Sequence, residues 1–289
     1  MEATSAQWRP LHEDNAIDVM AVAISFAEPL PDLLFKKVLE LTEPLAFAAG
    51  LRSRHLTKGV PIAVSAGTQG FQLAASSIGG RIYNSVEQNV APGEMPPTKV
   101  IEQLQVEQAA IYYRSWKYIP WTHQLSRLVP LFGPTLATLN GVVAVSSLRL
   151  EYLDRFIFDG PSTEANPAKL VKRPNVYVAE HIFSASDLWH CHTGSYFAGT
   201  ASHKQLRQIS LDALDQAKGL TPEEGIVRVI NMRLAREERF LDPLDPENVL
   251  DSTILGKKLD EMHLGLKQDL EALILDEFVA RIRLWELRQ

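Results

Sequence analysis

The stretch that decides the predicted fold runs from Val142 to Phe158 and reads VVAVSSLRLEYLDRFIF. From Leu148 onward, apolar side chains dominate the even positions, whereas the charged residues Arg149, Glu151 and Arg155 occupy odd positions. Successive side chains of a β-strand point to opposite faces of the sheet, so this alternation predicts a half-buried strand. One even position departs from the apolar series, since Asp154 stands between Tyr152 and Phe156.

Similar sets of elements lie before and after this strand, namely short alternating strands separated by turns and closed by an amphipathic helix. The chain therefore predicts an α+β fold made of two similar halves, each a twisted antiparallel sheet covered by a helix. We expect residues 1–14 to form a flexible N-terminal arm, 15–158 the N-terminal half, and 159–289 the C-terminal half. The alternative is one continuous sheet that carries all its helices on a single face.

Several element assignments follow from local pattern. Residues 61–65 and 70–75 are expected to be strands of a meander, and Val100–Trp116 one long strand, with a helix as the alternative for its first half. Asn175–Phe183 is also predicted to be a strand. The clearest periodicity is helical and extends from Ser252 to Ile274, where the apolar residues recur every three to four positions: Leu255, Leu259, Met262, Leu266, Leu270, Leu273 and Ile274.

Composition places the chain among ordinary globular proteins. Of its 289 residues 46% are apolar and 22% are charged, and the formal net charge of −6 gives no general attraction for nucleic acid or anionic lipid. The single cysteine, Cys191, excludes an internal disulfide and fits a reducing compartment. Residues 1–15 lack the apolar segment of a signal peptide, and no stretch approaches the ~20 apolar residues of a membrane span. We therefore predict a soluble, cytoplasmic protein.

Three motifs together resemble a family of sporadically distributed bacterial proteins of unknown function. They are Tyr112–Trp116 (YYRSW) before a helix, Leu148–Arg155 (LRLEYLDR) on the central strand, and Leu259–His263 (LDEMH) in the closing helix. The family usually has an arginine-tyrosine-asparagine run on that strand, which Arg149-Leu150 keeps only approximately. The family's patchy distribution implies genes that move horizontally, as those of defence and toxin–antitoxin systems do, but it brings no established activity.

The densest group of reactive side chains is the run from Trp189 to Gly194, which reads WHCHTG. On a strand, His190 and His192 share one face and could both reach a metal ion, because neutral imidazoles suit zinc, copper, iron or nickel. A third ligand would have to come from His181, His203 or a carboxylate. In the alternative interpretation, the two histidines form hydrogen bonds within a half-buried sheet.

A second candidate group consists of arginines near the end of a predicted strand. Arg233 and Arg239 fall on one face and Arg236 on the other, and guanidinium groups suit the oxygens of anions such as phosphate. Salt bridges to Glu237 and Glu238 explain the same residues equally well.

Three classes of function remain. A non-catalytic binding or regulatory protein is favoured, because no catalytic motif is present in the sequence. The alternative is a metal-dependent enzyme or metalloprotein centred on His190 and His192, which would bring a divalent metal as the only expected cofactor. A nucleic-acid binder is disfavoured by charge. We also expect a protein partner or self-association, since an uncovered sheet edge or helix face would expose apolar surface.

Overall fold

A computed structural model of the chain describes residues 7–57, 79–88, 98–185, 187–217, 225–242 and 250–286. Within these ranges lie four α-helices: α1 Asp32–Ala48, α2 Trp121–Leu139, α3 Ser252–Leu273 and α4 Asp276–Arg281. Ten strands accompany them: β1 Gln7–Pro10, β2 Ile17–Phe26, β3 Ser53–Leu56, β4 Arg81–Gln88, β5 Thr98–Val106, β6 Ala110–Ser115, β7 Val145–Asp159, β8 Trp189–Gly199, β9 His203–Ala217 and β10 Ile226–Phe240. The strands predicted at 61–65 and 70–75 lie outside the described residues.

The strands form one continuous antiparallel sheet in the order β3-β4-β5-β6-β2-β7-β10-β9-β8. β1 pairs with the last residues of β7, beyond the point that β2 reaches. Helix α2 contacts both α1 and α3, and α3 contacts β7 and β10. The prediction of an α+β fold with an antiparallel sheet is confirmed, and the described strands belong to a single sheet. None of the described helices combines the length and apolar character that crossing a membrane requires.

The alternation in β7 separates the two faces of the sheet. Leu148, Leu150, Phe156 and Phe158 are buried, and Phe156 meets Phe278 of α4 edge to face at 5.8 Å between ring centroids. The odd positions carry a polar network on the other face, where Arg149 binds Glu151 at 2.7 Å and Glu237 of β10 at 3.1 Å. The even positions therefore meet the helices, and the odd positions line a polar, partly exposed face that is called the open face below.

Part of the predicted flexible arm is instead an ordered strand, β1. Trp8 is only 2% exposed, lies 5.1 Å from the Phe158 ring, and donates a hydrogen bond from Nε1 to the carbonyl oxygen of Asn166 at 2.9 Å. The buried indole with its N–H satisfied, together with backbone pairing, holds this short segment against β7. Residues 7–10 of the predicted arm thus form a strand of the sheet.

Two predicted strands also need correction. Val100–Trp116 is not one strand but the hairpin of β5 and β6, and the turn between them is closed where Glu107 N donates to Ala110 O at 2.9 Å. Asn175–Phe183 contains no strand and ends in a 3₁₀ helix, Glu180–Ser184. There the Asn175 side chain accepts the backbone N–H of Tyr177 at 2.9 Å, a local bond that competes with strand pairing.

Helix α3 matches its prediction closely. Asp251 caps it by accepting the backbone N–H of Ile254 at 2.8 Å, and the stripe of apolar residues faces the interior, with Leu266 and Leu270 3% and 5% exposed. α3 also forms an ion pair with the sheet. Arg236 of β10 donates two hydrogen bonds to Asp269, at 2.9 and 3.1 Å, and both side chains are largely buried.

Gly265 makes this contact between helix and sheet possible. A Cβ atom at Gly265 would overlap the Arg236 guanidinium, whereas at Gly256 of the same helix it would meet Val129 Cγ2 at 3.4 Å, an ordinary contact distance. The absence of a side chain at Gly265 therefore leaves room for the buried ion pair.

We predict opposite effects of the same substitution at these two glycines. Gly256→Ala should stabilise the protein by up to ~1 kcal/mol, because alanine is the better helix former. Gly265→Ala should destabilise it by ~1–3 kcal/mol, because the Arg236–Asp269 pair has to move. Denaturant unfolding of both variants measures the difference, and an equal gain at both positions would contradict this account.

Candidate functional site

A cavity of about 430 Å³ lies on the helix face of the sheet, beside the middle of β7. Its wall combines the segment before β2, residues 118–122 at the start of α2, the central part of α3, and residues 282–286 after α4. Leu264 and Trp285 also line it, and they are 50% and 42% exposed, so they mark its mouth. Eight further residues of the wall are aliphatic: Ala16, Ile17, Ile119, Leu234, Leu266, Leu270, Ile282 and Leu284. A concave, mainly apolar cavity of this volume is typical of small-molecule sites.

Asp154 is the buried acid of this cavity. The two-residue period of β7 places it on the helix face between Tyr152 and Phe156, and it is only 3% exposed. No other side chain or backbone group in the described part of the chain forms a hydrogen bond or ion pair with its carboxyl group. Burial raises the pKa of Asp154 from 3.8 to about 7, because the ionised form loses its hydration. This group therefore gains and loses a proton near neutral pH.

Tyr152, which lies beside this acid on β7, forms a pair with His263 of α3. The Tyr152 hydroxyl shares a hydrogen bond with Nδ1 of His263 at 3.0 Å, and the imidazole stacks on Trp121 with 4.3 Å between ring centroids. Burial, helped by the charge of Lys267, lowers the pKa of His263 to about 4. Burial also raises the pKa of Tyr152 well above its ordinary value. Both side chains are therefore neutral at neutral pH.

The predicted histidine group is only partly brought together. His190 and His192 share the open face of β8 as expected, with 5.4 Å between ring centroids, and His192 Nε2 lies 2.8 Å from Asp212 Oδ1. His203 begins β9, nine positions before Asp212 and so roughly 30 Å along the strand. His181 lies in the 3₁₀ helix Glu180–Ser184. Among the described residues, no three histidine, cysteine or acidic side chains are grouped to hold a metal ion.

The predicted arginine group is divided between the two faces of the sheet. Arg233 and Arg239 lie on the open face, where Arg233 binds Glu151 at 3.3 Å and Arg239 binds Glu237 at 2.6 Å. Arg236 lies on the helix face in its ion pair with Asp269. Each guanidinium thus already has a carboxylate partner, and the three do not converge on one anion.

The residues of the cavity were not among the candidates derived from sequence. A usable signal was present in β7, because Asp154 is the one charged residue in an otherwise apolar or aromatic series of even positions. No comparable signal marks His263, which is adjacent to the apolar stripe of α3 and becomes part of the site only through its contacts with Tyr152 and Trp121.

Comparison with family models and curated sequences gives no related protein. No protein-family model matches the chain, and no curated protein matches it in sequence. The family resemblance carried by the three motifs therefore stays a prediction.

The ionisation of Asp154 predicts a pH-dependent effect of Asp154→Asn on stability. In the unfolded chain the carboxyl ionises near pH 4, but in the folded protein only near pH 7. Because the folded-state pKa is raised, the ionised carboxylate costs stability that grows as pH rises from 4 to 7 and stays constant above. Asp154→Asn should change the free energy of unfolding little at pH 4 and raise it by about 4 kcal/mol at pH 8.

Urea titrations of the wild type and the variant at both pH values measure this difference. Asp18→Asn is the matched control, since it removes a carboxylate on the neighbouring strand that pairs with Arg155 at 2.7 Å. It should lower stability at pH 8 instead of raising it. A gain for Asp154→Asn that is the same at both pH values would contradict the burial of an ionisable, unpaired carboxyl.

Proposed function

We propose that this chain is a non-catalytic binding protein that takes a small organic molecule into the cavity beside β7 and acts as a regulatory component. The observation that carries the proposal is the cavity itself, which offers about 430 Å³ of mainly apolar space and the buried carboxyl group of Asp154, for which the described residues supply no partner. Few, convergent polar groups in an apolar cavity are typical of sites that orient a ligand.

The protonation states of the cavity favour binding over catalysis. General acid–base catalysis needs groups that exchange protons near the working pH. Tyr152 and His263 are both neutral there and share a hydrogen bond, which leaves Asp154 as the one group of the three that titrates near neutrality. A single titrating acid without an activated nucleophile beside it fits ligand recognition better than a reaction.

The proposal includes an internal repeat of architecture. In the N-terminal part, the strands that follow β2 order as β2-β6-β5-β4-β3, and in the C-terminal part those that follow β7 order as β7-β10-β9-β8, so the N-terminal part has one additional edge strand. In each part, the first strand therefore pairs in the sheet with the last strand of the same part: β2 with β6, and β7 with β10. This equivalence supports two similar halves joined through the β2–β7 pair, with the cavity on the helix face at that junction.

The cellular role, location and partners of the protein are proposed from fewer observations. A role in a horizontally mobile system of the defence or toxin–antitoxin type rests on the resemblance of the three sequence motifs, and a cytoplasmic location rests on the single cysteine. A protein partner or second copy is supported by β8, which ends the sheet order and carries exposed Tyr196 and Phe197.

A metalloprotein centred on His190 and His192 is the alternative proposal. The proximity of the two imidazoles and of Asp212 to His192 supports it. Metal analysis of the purified protein tests it: one equivalent of divalent metal that is lost in His190→Ala would favour this alternative over the cavity.

Blocking the mouth of the cavity tests the main proposal. Leu264→Trp places an indole at the mouth, and Leu241→Trp is the matched control because Leu241 is equally exposed, at 51% against 50%, but lies outside the cavity. N-phenyl-1-naphthylamine, a neutral apolar dye that fluoresces in dry cavities, serves as the probe. We expect the wild type and Leu241→Trp to bind one equivalent, and Leu264→Trp to bind at least about tenfold more weakly. Equal binding by all three proteins would contradict the proposal.

A further inference from the structure

The described residues supply no partner for the buried carboxyl group of Asp154. Transfer of an ionised carboxylate out of water is strongly unfavourable unless a positive charge or several donors compensate it. No such group binds Asp154 within the described residues, although the side chain lines the cavity and is 3% exposed. The missing partner would therefore be supplied from within the cavity.

A second acceptor without a donor lies in the same wall. Oδ1 of Asn15 is buried and receives no hydrogen bond from the described residues. Asn15 is close to Asp154, because Arg155 N donates to the carbonyl of Ala16 at 2.7 Å and Ile17 is the register partner of Asp154. Two neighbouring acceptors call for a ligand that brings N–H or O–H donors.

Four aromatic side chains also line the cavity. Tyr118, Trp121, Tyr152 and Trp285 all line the cavity, and the faces of such rings attract cations. The wall already binds one cation in this way, since Lys267 Nζ lies 4.7 Å from the centre of the Trp285 ring at the mouth. A buried carboxylate combined with aromatic rings suits an organic cation better than a metal ion, which needs several oxygen, nitrogen or sulfur ligands.

We infer that the ligand of this cavity is a protonated amine with an apolar body, whose ammonium group binds the carboxylate of Asp154 and Oδ1 of Asn15 while the body fills the space beside Tyr152 and α3. The inference rests on the proposed function, because it names the chemical class of the molecule that the cavity takes. It specifies an ammonium that carries N–H donors, since a quaternary ammonium would leave both acceptors without hydrogen bonds.

Three probes that differ in one group test the inference by isothermal titration calorimetry. They are 2-phenylethylamine, its neutral counterpart 2-phenylethanol and the anion 3-phenylpropanoate. At pH 8 the wild type should bind the amine at least about tenfold more tightly than the alcohol, and the anion most weakly. Asp154→Asn should remove the preference for the amine and leave the alcohol affinity unchanged within about threefold. Asp18→Asn, which alters an acid outside the cavity, should keep the preference.

Lowering the pH gives an independent readout. The amine stays protonated, whereas Asp154, with a pKa of about 7, loses its charge. The amine affinity should therefore fall about a hundredfold between pH 8 and pH 5, while the alcohol affinity should not fall. His263, with a pKa of about 4, stays neutral over this range. The other ionisable groups that line the cavity are Tyr118, Tyr152, Asp260, Lys267, Arg283 and Glu286.

The outcomes distinguish a failure of the amine assignment from a failure of the proposed binding function. Equal affinities for amine and alcohol, or a preference that survives Asp154→Asn, would overturn the amine assignment and leave a binding protein for neutral molecules. An affinity that rises as pH falls would also overturn it, because a protonated Asp154 would then be the donor. If none of the probes binds and the dye does not distinguish Leu264→Trp from Leu241→Trp, the binding function itself fails.

Discussion

The pairing of β7 on both sides is the constraint on which the rest of the structure depends. β2 and β1 bind one edge of this strand and β10 binds the other, so its register is fixed along nearly its whole length. A shift by one residue would turn Leu148, Leu150 and Phe156 towards water and bring Arg149 and Glu151 under the helices. The strand therefore determines at once which face the helices cover and where Asp154 points.

Charged residues reinforce this arrangement differently on the two faces. On the open face, the Arg149–Glu151–Glu237 network is partly exposed, so each ion pair contributes little to stability but favours one register over its alternatives. On the helix face, the Arg236–Asp269 pair is largely buried and links α3 to β10 at the level of Gly265. A buried pair of this kind acts mainly by fixing the position of one element against another, because desolvation offsets much of its attraction.

The cavity occurs where this helix layer is incomplete. α2 begins at Trp121, α3 passes beside it, and the segment after α4 returns to the same place, so the middle of β7 is approached by ends of elements more than by their packed faces. A buried acid that has no partner among the described residues lowers the stability of the folded protein at neutral pH. Proteins retain features of this kind mostly where function requires them, and this cost is why we assign the site to Asp154 and not to His192 or the candidate arginines, which have carboxylate partners.

The sequence alone determined the elements whose signal is local. The alternation from Leu148 to Phe158 and the stripe of α3 appear in the structure as predicted, because burial of one face imposes a period that can be counted along the chain. The hairpin of β5 and β6 was missed because its turn has no glycine or proline to mark it. Tertiary structure decided what distant residues do together: Trp8 orders β1 by binding Asn166, 158 positions away, and Tyr152 meets His263 across 111 positions. The two-residue alternation in the sequence shows which side chains share a face of a strand. Only the packing of the helices decides which part of that face borders a cavity, and this is why Asp154 is a candidate ligand-binding group.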